Sequence, residues 1–164
     1  MRVALGVLLF AIGAVAAVMI IAIAQSFKLA RIDGNAMAPR YQSGDHVLIS
    51  KLSYDLVEPK REQVVAFFYP LNPAKSFVQR VIAVAGDTVR IVAGRVYVND
   101  SVMRDEYVAP EFRSHDNWGP QVVPQGYFFV MGDHRNNCSD SRHWGFVPLK
   151  YIWGHIVTTV WHAR

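Results

Sequence analysis

Gly132 to Pro148 reads GDHRNNCSDSRHWGFVP and concentrates side chains that can do chemistry. Asp133, Asp140, Arg135 and Arg142 are strongly charged, and Cys138, Ser139 and Ser141 lie between and beside them. Two chemistries fit these types. Cys138 with His134, four residues earlier, makes a nucleophile and a base, provided the thiol is acidic enough to ionise. Alternatively, Asp–Arg pairs tie down a polar loop whose purpose is a fixed shape. The six histidines, His46, His115, His134, His143, His155 and His162, follow no metal-ligand spacing, and one cysteine cannot build a thiolate site. No metal and no cofactor are expected.

The elements that must position this loop are strands. Tyr127–Met131, immediately before it, is an apolar run of strand length. His46–Lys51, Val64–Tyr69, Phe77–Val84 and Ile156–Trp161 read the same way, with Gln121–Val123 a shorter strand. Thr88–Val92 and Arg95–Val98 flank Ala93-Gly94 in the manner of a hairpin. Residues 101–120 form a looser excursion with weak strand character at most, and 25–31 reads as a connector. No segment after residue 30 sustains a helical period over three turns. Short strands punctuated by Gly, Pro and Asn predict a mostly β, antiparallel domain.

The front of the chain differs. Val3–Ala24 is 22 residues without a charge, about 33 Å as a helix, the thickness of a bilayer core. A cleaved signal peptide would end at Ala22-Ile23-Ala24, but its apolar region would be shorter than this. The expectation is a retained single transmembrane helix, residues 1–25, followed by a domain of residues 26–164. Arg2 on one side and Lys28 and Arg31 on the other give no clear orientation. The net charge of +4 is spread along the chain. It suits a domain near anionic lipid and lacks the concentrated patch a nucleic-acid binder needs.

The order of motifs carries a resemblance. An apolar front is followed by Met37-x-Pro39, then Gly44-Asp45-x-Val47-Leu48, then RVIAVAGD from Arg80 to Asp87. Last comes GD-x-R-x-N-x-x-DSR-x-WG-x-VP from Gly132 to Pro148. Together these resemble the type I signal peptidases, in their small Gram-positive-like form, from the apolar front through Trp153-Gly154. The resemblance implies a membrane-anchored serine protease fold, with the amino terminus cytoplasmic and the β domain extracytoplasmic. It also implies extended polypeptide, a signal-peptide or secreted-protein segment, as the partner.

That family uses a serine before the Met of Met-x-Pro as nucleophile and a lysine before the Arg-Val pair as base, a Ser-Lys version of the activated nucleophile. Here those positions hold Ala36 and Gln79. Gly34, Met37 and Pro39 fall on the oxyanion and turn positions, and Gly34 brings no hydroxyl. Gly132, Asp133, Arg135, Asp140, Ser141 and Arg142 fit the supporting loop. Cys138 replaces the serine that would orient the lysine, and Arg40 and His134 are further departures. The expected protein is therefore a catalytically inactive relative that binds secreted or pilus-type proteins as an accessory or assembly factor. The alternative is a signal peptidase I seen as an inactivated variant.

Overall fold

A computed structural model describes residues 2–51 and 58–163, with backbone alone for residues 2–9. Met1 and Arg164, the outer limits of the expected anchor and domain, lie outside the described residues. Helix α1 spans Arg2–Gln25. Phe10, Ile12, Val15, Val18 and Ile21 are exposed around its circumference, so it has no polar face to turn toward water. Among the described residues no helix is long and apolar enough to cross a membrane.

Eleven strands follow among the described residues, and every pairing is antiparallel. They are β1 Phe27–Arg31, β2 His46–Ser50, β3 Val64–Tyr69, β4 Asn72–Ala83, β5 Thr88–Val92 and β6 Arg95–Val98, then β7 Ser101–Val102, β8 Trp118–Val122, β9 Tyr127–Met131, β10 Val147–Pro148 and β11 Ile152–Trp161. The larger sheet runs β1-β2-β11-β3-β4-β9-β10, and the smaller β7-β6-β5-β8. The mostly β architecture expected from the sequence is present.

Among the boundaries that differ from the sequence reading, three do so for a reason of pairing. The expected connector at 25–31 contains β1, registered along β2 from Phe27↔Ser50 to Arg31↔His46. It is an edge strand with Lys28, Leu29 and Arg31 exposed, so no buried alternation announces it. β4 begins at Asn72, because the hairpin turn is made by Pro70 and Leu71 and Asn72 already pairs with Tyr69. β11 starts at Ile152, four residues before the expected Ile156, where it meets Phe67 of β3.

The core has three parts that meet at β3, β4 and β9. Val65, Phe67, Val81, Phe128 and Val130 pack together on one side. Met37, Tyr41, Val47, Ile49, Val64 and Ala66 pack on the other. The first four residues of β3 are all buried, which is why its sequence shows an apolar run rather than alternation. Ile82, Val89, Ile91, Val96, Phe129 and Met131 form the third cluster, joining the smaller sheet to β4 and β9.

Candidate functional site

The turn after β1 brings residues 33–36 over the larger sheet. Gly34 sits at φ 83°, a left-handed conformation that favours glycine, and Met37, 1% exposed, plugs the turn into the core. The Ala36 carbonyl then accepts a hydrogen bond from the His134 backbone N–H at 3.1 Å. The chain therefore delivers residue 36 to the loop after β9. A Cβ at position 132 would lie 2.5 Å from that carbonyl and 2.4 Å from Cys138 Sγ. Only glycine leaves room there.

Gln79 reaches the same place from β4. It is 2% exposed, and its Nε2 donates to the Ser139 carbonyl at 2.8 Å and to Cys138 Sγ at 3.2 Å. Its Oε1 is buried without a hydrogen-bond partner among the described residues. Ala36, Met37, Gln79 and Cys138 all line one cleft of about 530 Å³, and Gly34 lies at its rim turn. Pro39 shapes that turn from outside the lining.

Beside the cleft, the loop Gly132–Trp144 carries a framework of buried polar groups, Asp133, Arg135, Asp140 and Ser141. Asp133 is fully buried and pairs with Arg80, whose Nε donates at 2.8 Å. Arg80 also lies over the Tyr107 ring, 3.9 Å from its centroid. Asp140 accepts two bonds from the Arg142 guanidinium, at 2.8 and 2.7 Å. Its backbone and side chain also cap the one-turn helix α2, Ser141–Trp144. Ser141 Oγ accepts from the Val130 N–H, and Arg135 Nε donates to the Gly132 carbonyl. Burial opposes the charge of Arg142, but hydrogen bonds and the fields of Asp140 and Asp116 outweigh it and raise its pKa. Of the loop's own acids and arginines only Asp140 and Arg142 pair with each other; Asp133 pairs with Arg80 and Arg135 with Asp105.

The sequence missed part of this framework. Asp116 accepts from Arg142 at 2.9 Å, Ser114 at 3.3 Å, and Asp105 lies 3.7 Å from Arg135. All three belong to the excursion 101–120, which carries no local signal because its partners are far along the chain.

The cysteine–histidine alternative fails on geometry and acidity. Burial, reinforced by the Asp140 charge, pushes the Cys138 thiol up to about 12, the reverse of what a nucleophile requires. The His134 ring is engaged elsewhere, with Nδ1 3.2 Å from the Asn35 carbonyl and its face 4.1 Å from Phe112. At positions 36 and 79 stand a methyl group and a neutral amide, which supply neither a nucleophile nor a base. Among the described residues no three His, Cys, Asp or Glu side chains gather as a metal site.

A sequence model of a family described as Signal peptidase, peptidase S26, matches residues 4–161. The chain is 36% identical over 138 residues to Probable signal peptidase I-2 of Synechocystis sp., covering 79% of this chain and 61% of that protein. Signal peptidase I of Leptolyngbya laminosa is 34% identical over 140 residues, covering 79% and 66%. The chain thus spans less than two thirds of these two relatives. A crystal structure of a signal peptidase I from Enterococcus faecalis superposes with a TM-score of 0.54 at 26% identity, covering 62% of this chain and 98% of that one.

Proposed function

Since this chain belongs to the signal peptidase family, peptidase S26, we propose that it is a member that binds extended polypeptide without cutting it. One observation carries the reading. Residues 36 and 79, which line the cleft, are Ala and Gln, while in the adjoining loop Asp133 and Asp140 are fully buried and paired with Arg80 and Arg142. Removing a nucleophile and its base leaves only binding and oxyanion contributions, about 10³–10⁴ over water in the best-studied serine protease. An extended segment can lie along the cleft and pair its backbone with an exposed strand edge. The role is accessory: presenting or holding secreted or pilus-type proteins for other components.

We place the protein in a cell membrane by α1, residues 1–25 as a single anchor, with the amino terminus cytoplasmic and residues 26–164 extracytoplasmic. The apolar circumference of α1 supports this. Its lipid contact is the anchor itself, and no nucleic acid is a partner.

A second reading is favoured by the relatives, which carry the name signal peptidase. In it, the chain is an inactivated form of an enzyme that cleaves signal peptides from preproteins. Incubating the detergent-solubilised chain with a secretory precursor tests the first reading, and no cleavage is expected. Efficient cutting after a small residue would overturn it. Sequencing the native gene at codons 36 and 79 decides between the two.

A further inference from the structure

The cleft carries a charge that the reading above does not use. Lys28 projects from β1 at the cleft wall, with its Nζ 5.0 Å from the centroid of the Trp153 ring. Trp153 comes from β11, and its Nε1 donates to Ser76 Oγ of β4 at 3.0 Å. Ser76 Oγ in turn donates to the Phe67 carbonyl at 3.1 Å. Lys28, Trp153 and Ser76 therefore form a bar across the sheet, from the β1 edge to β4. The ammonium thus lies over an indole whose own position is set by its hydrogen bond to Ser76.

A lysine ammonium has three donors, and an aromatic face satisfies only one direction of its field. Among the described residues no carboxylate is within ion-pair distance of Lys28. Arg31, on the same strand, adds a second positive charge to the wall, and Asp33 is the acid that lines it. Lys28 lies within β1, whereas Ala36 lies in the turn that follows it. The two ends of the cleft thus differ: small and uncharged at Ala36 and Gln79, cationic at Lys28.

We infer that Lys28, held over Trp153, selects an acidic side chain in the polypeptide bound by the cleft, at a register other than that of the residue seated at Ala36. The inference rests on the peptide-binding reading and names the chemistry of the partner: an extended segment with a small residue at one point and an Asp or Glu at a set distance. A partly exposed pair of this kind adds a modest affinity and a large discrimination between charges, because a like charge at the same point is repelled.

The test uses the full chain in a zwitterionic detergent and fluorescein-labelled peptides of Ala, Ser and Thr in which one position is Glu, Gln or Lys, moved stepwise along the peptide. Anisotropy gives each Kd. At one register Glu should bind about three- to fivefold tighter than Gln, and Lys weaker than either, with the spread shrinking as salt is raised. Lys28→Gln should erase the preference and Lys28→Glu should reverse it. Equal affinity of the three peptides at every register in the parent protein overturns the inference and leaves the peptide-binding reading standing. A preference that survives Lys28→Gln also overturns it. Failure of every peptide to bind overturns both.

Discussion

Gly132 and Ala36 are in contact across the cleft floor: a Cβ on residue 132 would lie 2.5 Å from the Ala36 carbonyl oxygen. That contact joins the turn after β1 to the loop after β9, almost a hundred residues later. Gly132→Ala must push the turn and loop apart, at a cost of about 1–3 kcal/mol for overpacking. Urea denaturation should show the loss, and the anisotropy assay should show weaker peptide binding. A variant as stable and as tight as the parent would mean the two segments part freely.

Restoring the nucleophile and base should need both at once. Ala36→Ser with Gln79→Lys is expected to yield measurable precursor cleavage, and either change alone almost none, because such residues act as a unit. A lysine at position 79 would be buried, which depresses its pKa. Cleavage should therefore rise with pH as that amine loses its proton. Cys138→Ser should raise the rate further by supplying a better hydrogen-bond partner than a thiol. A triple variant that binds peptide and cuts nothing, when followed by gel assay of a precursor, would show that the floor no longer aligns the two positions.

Cys138 should be inert in the folded protein. With its pKa at about 12, about one thiol in ten thousand is ionised at pH 8, a thousandfold fewer than for a thiol of pKa 9. Iodoacetamide should label the native chain slowly and the urea-unfolded chain quickly. Equal rates would contradict the buried placement.

Acid should weaken the fold in two stages. Burial lowers the His155 pKa below its ordinary 6.5. The unfolded chain then binds more protons as pH falls through that value, so stability present above 6.5 is lost on the way down. For Asp87 and Asp116, burial raises the pKa but bonds to Arg61, Val84, Ser114 and Arg142 outweigh it, holding both below 3.8. Their contribution is present above 3.8 and lost beneath it. Urea midpoints from pH 8 to 3 should show both stages, and His155→Gln should flatten the upper one alone.

How much of this was legible depended on where each residue finds its partner. β3 and the β5–β6 hairpin were readable because apolar runs and the Ala93-Gly94 turn act locally. β1 was not, since Lys28 and Arg31 face solvent and only β2 makes Phe27–Arg31 a strand. In the site, the family resemblance brought Ala36, Gln79 and Cys138 to notice, and Asp133, Asp140 and Arg142 are found buried in ion pairs. Tyr107, Ser114 and Asp116 went unseen because their contacts, with Arg80 and Arg142, cross 26 to 28 positions of chain. The Lys28–Trp153–Ser76 bar was invisible for the same reason.

One residue, Ser26, separates α1 from β1. Its N–H donates to the Ile23 carbonyl, its Oγ to the Ala22 carbonyl, and its own carbonyl accepts from the Lys51 N–H at 2.7 Å. Such a splice has no slack. A tilt of the helix becomes a rotation of the strand that bears Lys28.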